Sequence, residues 1–296
     1  MRVLLLGGTS DAREMAGVLA AAGHQVLLSV LTEYGAALAQ AGQVGESGAA
    51  SATSASVPAL PAAAAPSSAG ISVRTGRLEQ KGLEALLADI DVVVDATHPF
   101  ATQISALAVH ACAEATMPYV RFERPADELH ESVLMAADAD EAARLAVERA
   151  AGGTIFTTVG SRTLEAYVAA ARAAGVRLVA RVLPVVESLA RCRHLGLEPA
   201  DLVAMQGPTT TGLDYAMLRH FGATVLVTKA SGGAGGVAAK LEAAEAAGVT
   251  SIVVGRPEMP RDEPASGPVV STAADLVAGL EHLNEETDEQ SDGPAR

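Results

Sequence analysis

The chain has no tryptophan, and aromatic residues make up only 3% of its 296 positions. Readers of single-stranded nucleic acid stack bases on aromatic rings, so this composition argues against them. Positive charge is scarce as well. Lysine and arginine number 21 against 35 aspartates and glutamates, for a formal net charge of −14. Such a body offers no general field for a phosphate backbone. Residues 281–296 hold six acids and one arginine, and the remainder is still acidic. An anionic ligand must therefore find a local basic cluster. There are two cysteines, Cys112 and Cys192, with no C-x-x-C pair. That excludes a disulfide framework and a cysteine-held zinc and reads as two small core residues in a reducing compartment. No run of 18 apolar residues occurs, so no helix is expected to span a membrane. The apolar run at residues 3–6 is too short for a secretory signal. The expectation is a cytoplasmic protein with no nucleic-acid or membrane partner.

Several chemistries are missing too. No tyrosine has lysine four positions on, as a short-chain dehydrogenase requires. G-x-x-x-x-G-K-[ST], H-E-x-x-H and G-x-S-x-G are all absent. The seven histidines show no ligand spacing, and no metal site is expected.

What the chain has is alternation. Short apolar runs at residues 3–6, 25–31, 71–74, 91–95, 119–122, 154–158, 177–182, 202–205, 224–228 and 251–254 read as strands. Helical patterns at 11–22, 100–116, 140–150 and 163–174 lie among them. Continuous apolar strands alternating with helices predict parallel sheets covered on both faces. Ten strands are too many for one simple open sheet. The expected fold is α/β, with two doubly wound parallel-sheet domains and a ligand cleft between them. The boundary falls in the polar run 124–133, giving domains at 1–128 and 129–280 and an acidic disordered tail at 281–296. In residues 41–70, 24 of thirty positions are Ala, Ser, Gly or Pro, which predicts a disordered insertion.

The candidate sites lie where strands end, because doubly wound sheets bind ligands beyond the carboxyl ends of their strands. Gly7-Gly8-Thr9-Ser10-Asp11 joins the first strand to the first helix. Glycines there let a phosphate approach the backbone; the alternative is a tight turn capped by Ser10 or Asp11. Asp95-Ala96-Thr97-His98-Pro99 follows the fourth strand, and its alternative is Thr97 as a helix cap beside a satisfied His98. In the second half, residues 157–162, Met205-Gln206-Gly207-Pro208 and residues 228–233 all end strands. Arg77, Arg121, Arg124, Arg162, Arg181 and Lys229 lie near strand ends and could form the basic cluster that an anionic ligand needs.

Seven strings occur in order: VLLLGGTSDAREMA (3–16), SVLTEYG (29–35), DATHPFATQIS (95–105), RFERP (121–125), ARVLP (180–184), MQGP (205–208) and LVTKASGG (226–233). Through them the chain resembles the precorrin-6A reductases of cobalamin biosynthesis, including the cobalt-precorrin-6A form. The resemblance runs from residue 1 to about 260, omitting 41–70. It implies two Rossmann-like domains and NADPH-dependent reduction of a ring double bond of precorrin-6A to give precorrin-6B. The substrate is then a tetrapyrrole polycarboxylate, with transfer to other cobalamin-pathway enzymes as the partner expectation. Gly7, Gly8, Thr9, Ser10 and Asp11 would receive the pyrophosphate, and Ser29 and Thr32 the adenosine half. Asp95, Ala96, Thr97, His98 and Pro99 would lie by the cofactor. Arg121, Arg162, Gln206, Lys229 and Ser231 would hold substrate, with His98 and Lys229 as candidate proton donors. The second strand ends in Ser29-Val30-Leu31-Thr32 without the acid that binds the NAD ribose, which favours NADPH. The alternatives are the cobalt-containing substrate and a nucleotide-binding sensor without chemistry.

Overall fold

The computed structural model describes residues 1–43, 70–125, 129–130, 132–232, 235–257 and 267–291. The chain forms two compact units, one made of residues 1–124 and 259–296, the other of 125–258.

In the first unit the strands are β1 (Arg2–Leu6), β2 (Gln25–Val30), β3 (Ile71–Thr75), β4 (Val92–Asp95) and β5 (Tyr119–Phe122). Helices α1 (Ser10–Ala21), α2 (Glu33–Gln43), α3 (Gln80–Leu87) and α4 (Thr102–Ala115) connect them. All pairings are parallel. The order from one edge is β3-β2-β1-β4-β5, so strand order reverses between β1 and β4. Period-two alternation divides β1 between two layers. Val3 and Leu5 pack with Met15 and Leu19 of α1, while Leu4 and Leu6 pack with Leu83 and Leu87 of α3 and Cys112 of α4. Both faces are thus covered, which is why these strands read as unbroken apolar runs.

The second unit repeats the plan. Its strands and helices are β6 (Leu134–Ala136), α5 (Ala139–Ala150), β7 (Thr154–Thr157), α6 (Leu164–Ala174), β8 (Arg177–Val182), α7 (Val186–His194), β9 (Leu202–Ala204), α8 (Thr211–His220), β10 (Ala223–Lys229), α9 (Val237–Ala247) and β11 (Thr250–Val254). The parallel order is β9-β8-β7-β10-β11-β6, with the reversal between β7 and β10. Phe156, Val179 and Leu226 pack against Met217 and Leu218 of α8 and Ala243 and Ala244 of α9.

Two expectations need correction. Residues 267–280 belong with the first unit, not with 129–258. There β12 (Val269–Val270) pairs with β5 in parallel, and α10 (Ala273–Ser291) buries Leu276 and Leu280 completely in the β1–β2 core layer. The supposed disordered tail is helical through residue 291. Leu276, Val277, Leu280 and Leu283 lie on one helical stripe, and that stripe anchors the acidic segment following it. Of the insertion 41–70, residues 41–43 end α2 and Gly70 precedes β3; residues 44–69 lie outside the described residues. Among the described residues no helix is long and apolar enough to cross a membrane.

Candidate functional site

The point where the first sheet reverses brings two loops together. The first is the β1–α1 turn. Gly7 has φ +144°, and a Cβ there would lie 2.6 Å from the Ala96 carbonyl oxygen and 2.9 Å from the Ala12 Cβ. Only glycine fits, because the turn is pressed onto the second loop, residues 96–101 after β4. Thr9 fastens the two. Its hydroxyl accepts from Ala12 N at 3.0 Å and donates to the Ala96 carbonyl at 3.1 Å. Thr9 is therefore the helix cap, not Ser10 or Asp11. Gly8 and Ser10 are exposed, and the first N–H groups of any α-helix have no partner within the helix. Asp11 would repel a phosphate at this end, but its carboxylate is 3.1 Å from Arg124 Nε, and Arg124 also pairs with Glu14.

At the tip of β2, Ser29 is buried and its hydroxyl accepts from Arg74 Nη1 at 3.2 Å. Thr32 Oγ1 accepts from Gly35 N at 3.1 Å at the start of α2. Leu31 beside them is 45% exposed.

The end of β4 departs from expectation. Asp95 is fully buried, and its carboxylate holds Arg121 Nη1 at 2.8 Å, the Tyr119 hydroxyl at 2.8 Å and Thr97 N at 2.9 Å. Arg121, 5% exposed, also donates to Thr97 Oγ1 and to the Thr97 carbonyl, each at 3.0 Å. Arg121 was expected to hold substrate. Its Nη1 and Nη2 are instead engaged in a buried network beneath the loop, because a guanidinium in a buried strand needs a carboxylate, while its Nε makes no hydrogen bond. Burial and the Asp95 charge keep the Tyr119 phenol protonated well above its usual range, so it stays a donor. The same causes push the Cys112 thiol up to about 12. Thr97 is not the cap of α4; its hydroxyl lies 3.2 Å from Ser105 Oγ. Above this base, His98 Nδ1 accepts from Phe100 N at 3.2 Å, which places a neutral ring's proton on Nε2. The His98 ring also packs against Phe100, with centroids 5.6 Å apart. Ala96 continues the β-ladder to Leu6 O, and Pro99 lies within the same loop.

The second unit has its own loops at the β7–β10 reversal. Gly160, at φ +82°, leads into a 3-10 turn at Ser161–Thr163. Arg162 in that turn is exposed, whereas Lys229 at the end of β10 is partly buried. Burial lowers the Lys229 ammonium to about 8, with the positive charge of Arg162 adding to the effect. Those two predicted residues are thus brought within electrostatic reach of each other. Ser231 Oγ donates to the Lys229 carbonyl at 3.3 Å, and a Cβ on Gly235 would collide with that hydroxyl. Gln206 lies one sheet edge away, after β9. Its loop is tied down by Arg181, whose Nη1 donates to Thr209 Oγ1 at 2.7 Å and to Asp214 Oδ1 at 2.8 Å. Thr209 Oγ1 in turn donates to Asp214 Oδ2 at 2.7 Å. Arg181 and Asp214 are both buried, so Arg181, like Arg121, is withdrawn from the basic cluster. The sequence reading missed Tyr119, Thr209 and Asp214. The available signal was an arginine inside each otherwise apolar strand, YVRF and RLVARV, which demands a buried acid nearby.

A glycine turn at the reversal of a 3-2-1-4-5 parallel sheet, in a chain that carries a second doubly wound unit, defines a two-unit Rossmann-type α/β protein of the nucleotide-binding kind. Within that class, the chain belongs to the precorrin-6x reductase CbiJ/CobK family, whose model matches residues 2–56 and 46–281. It is 34% identical over 282 residues to the cobalt-precorrin-6A reductase of Priestia megaterium, covering 94% of this chain and 97% of that one. It is 36% identical over 191 residues to the precorrin-6A reductase of Mycobacterium tuberculosis, covering 64% and 73%. Among solved structures, CobK precorrin-6A reductase superposes with a TM-score of 0.69 at 28% identity, covering 96% of this chain and 97% of that one. The chain is accordingly an oxidoreductase of cobalamin biosynthesis.

Proposed function

We propose that this enzyme reduces a ring double bond of precorrin-6A, or of its cobalt-containing counterpart, with NADPH. The observation that carries the cofactor assignment is the Gly7 turn pressed on Ala96 and latched by Thr9 at the sheet reversal. A side chain at position 7 would collide with the Ala96 carbonyl and the Ala12 Cβ and push the turn off the β4 loop, so glycine there keeps the tight turn that a dinucleotide pyrophosphate needs. When bound, NADPH supplies the hydride that adds to one carbon of the double bond, and the neighbouring carbon takes a proton.

The protein's own residues bind, orient and protonate. The backbone of Gly7, Gly8, Thr9, Ser10 and Asp11 would hold the pyrophosphate, with the Asp11 carboxylate neutralised by Arg124. Ser29 and Thr32 would hold the adenosine half. Residues 96–99, held in place by the Asp95–Arg121 pair, would lie by the cofactor. On the second unit, Arg162 and Lys229 receive carboxylates of the macrocycle, with Gln206 and Ser231 as polar neighbours. The Lys229 ammonium, lowered to about 8, can give up its proton near neutral pH. His98, with Nε2 as its donor atom, is the other proton source.

The test is incubation with NADPH and precorrin-6A, following NADPH oxidation and the macrocycle's absorption together. Both should change in equal molar amounts. A nucleotide-binding protein without chemistry would bind NADPH and leave the macrocycle as it was, and that outcome would overturn the proposal. Running the cobalt-containing substrate in parallel decides between the two macrocycles by kcat/KM.

A further inference from the structure

We infer that Arg74 receives the 2′-phosphate of NADPH and sets the preference for it over NADH; the inference rests on the cofactor reading above. In a 3-2-1-4-5 sheet the adenosine ribose lies beyond the tip of the second strand, where an acid selects NAD and an arginine accommodates the NADP phosphate. Here β2 ends in Ser29 and Val30, and the first acid, Glu33, already lies in α2. The arginine comes from the adjacent strand. Ser29 and Arg74 are direct partners in the parallel β2–β3 register. Arg74 Nη1 donates to Ser29 Oγ at 3.2 Å and to the Gly76 carbonyl at 3.3 Å, and Gly76 N donates to the Val30 carbonyl at 3.0 Å. These bonds hold the guanidinium at the shared carboxyl edge of β2 and β3.

The guanidinium is held but not neutralised. Among the described residues Arg74 has no carboxylate partner, and its Nε and Nη2 make no hydrogen bond. Arg121, Arg124 and Arg181 differ, because each is paired with an acid. A planar guanidinium keeping one edge of donors open is suited to bidentate contact with a phosphate. The exposed Leu31 next to Ser29 offers an apolar seat for the purine of the same nucleotide. Ser29, which the sequence reading assigned directly to the cofactor, becomes the residue that orients Arg74.

The experiment titrates wild type and Arg74→Gln with NADPH and with NADH, following nucleotide fluorescence, so no turnover is needed. Glutamine keeps an amide donor on the strand edge and removes the charge. A charge-assisted hydrogen bond of ordinary strength corresponds to about a 10–150-fold change in Kd. Arg74→Gln should weaken NADPH by that factor, leave NADH within about threefold, and so collapse the ratio of the two; Arg74→Lys should restore part of it. An undiminished ratio in Arg74→Gln, or its collapse in Arg77→Gln instead, would overturn the assignment while leaving NADPH as the cofactor. A wild-type ratio near one would remove the NADPH reading, and the Arg74 subsite with it.

Discussion

Replacing Asp95 by asparagine tests whether the buried network is what holds the first unit's reversal loop. The carboxylate accepts three hydrogen bonds, from Arg121 Nη1, the Tyr119 hydroxyl and Thr97 N. Asparagine can keep one or two of them through its oxygen. Its amide nitrogen must then face a guanidinium or a phenol donor, and Arg121 is left as a buried cation. Its remaining contacts are backbone carbonyls, the Thr97 hydroxyl and Glu123 at 3.5 Å. Breaking a buried pair by removing one partner costs about 3–5 kcal/mol. Tyr119→Phe removes one charged hydrogen bond and leaves the ion pair, so it should cost less, about 1.5–3 kcal/mol. Because a two-unit chain has no single unfolding free energy, the suitable assay is hydrogen exchange resolved by peptide, with β7 and β10 of the second unit as the internal reference. At about 1.4 kcal/mol per tenfold, amides of β1 and β4 that exchange through unfolding should do so roughly 140–4,000 times faster in Asp95→Asn. Joint replacement of Asp95 by alanine and Arg121 by methionine should be milder than the two single changes combined, because no charge is stranded. First-unit rates within about threefold of wild type in Asp95→Asn would refute the reasoning.

Four further outcomes are expected. Gly7→Ala forces a Cβ to 2.6 Å from the Ala96 oxygen at a φ of +144°, so NADPH affinity in a fluorescence titration should fall at least tenfold, with about 1–3 kcal/mol of lost stability. Lys229 is protonated below about 8, so kcat/KM for the macrocycle should decline above that pH, and Arg162→Ala should move the inflection upward by removing a like charge. The same folded-state value lies below the ordinary lysine value of 10.5, so the unfolded chain binds more protons between the two and stability should rise with pH across that window. Leu280→Ala should cost about 2–5 kcal/mol, read as faster hydrogen exchange of β1 and β2 amides against the second unit, whereas a disordered C-terminal segment would show no effect.

Among the described residues ten of the twelve strands are legible in the sequence, most of them because strands covered on both faces are apolar throughout. The two that are not, β6 and β12, are three- and two-residue edge strands with half-exposed side chains, so their apolar signal is diluted. Helix α2 runs into the alanine- and glycine-rich segment and shares its composition. Helix α10 was hidden by its acids, although the stripe from Leu276 to Leu283 was available. At the candidate site, the glycine turn and the loop after β4 are readable because they follow strands directly. Their anchoring is not. Asp95 and Arg121 are 26 residues apart, and Arg181 and Asp214 are 33 apart. Only the fold decides that each pair meets in the interior.

That distinction between anchoring and open arginines changes what the charge pattern means. Of the basic residues near strand ends, Arg121, Arg124 and Arg181 each pair with a carboxylate. A substrate carboxylate that drew Arg181 away from Asp214, or the Arg121 Nη1 away from Asp95, would strand a buried acid, at a penalty of several kcal/mol. A surface contact of about 1.5–3 kcal/mol does not repay that. Among the described residues Arg74, Arg77 and Arg162 make no ion pair, and the proposed reading takes Arg74 at the β2–β3 edge, and Arg162 beside Lys229 at the second unit's reversal, as the ligand-facing cations. Placing Arg162 near Lys229 lowers the lysine's proton affinity, and a bound carboxylate between them would raise it again by adding negative charge. Under the proposed assignment of Arg162 and Lys229 to substrate, a macrocycle carboxylate docked on Arg162 strengthens the hold of Lys229 on its proton as the substrate arrives.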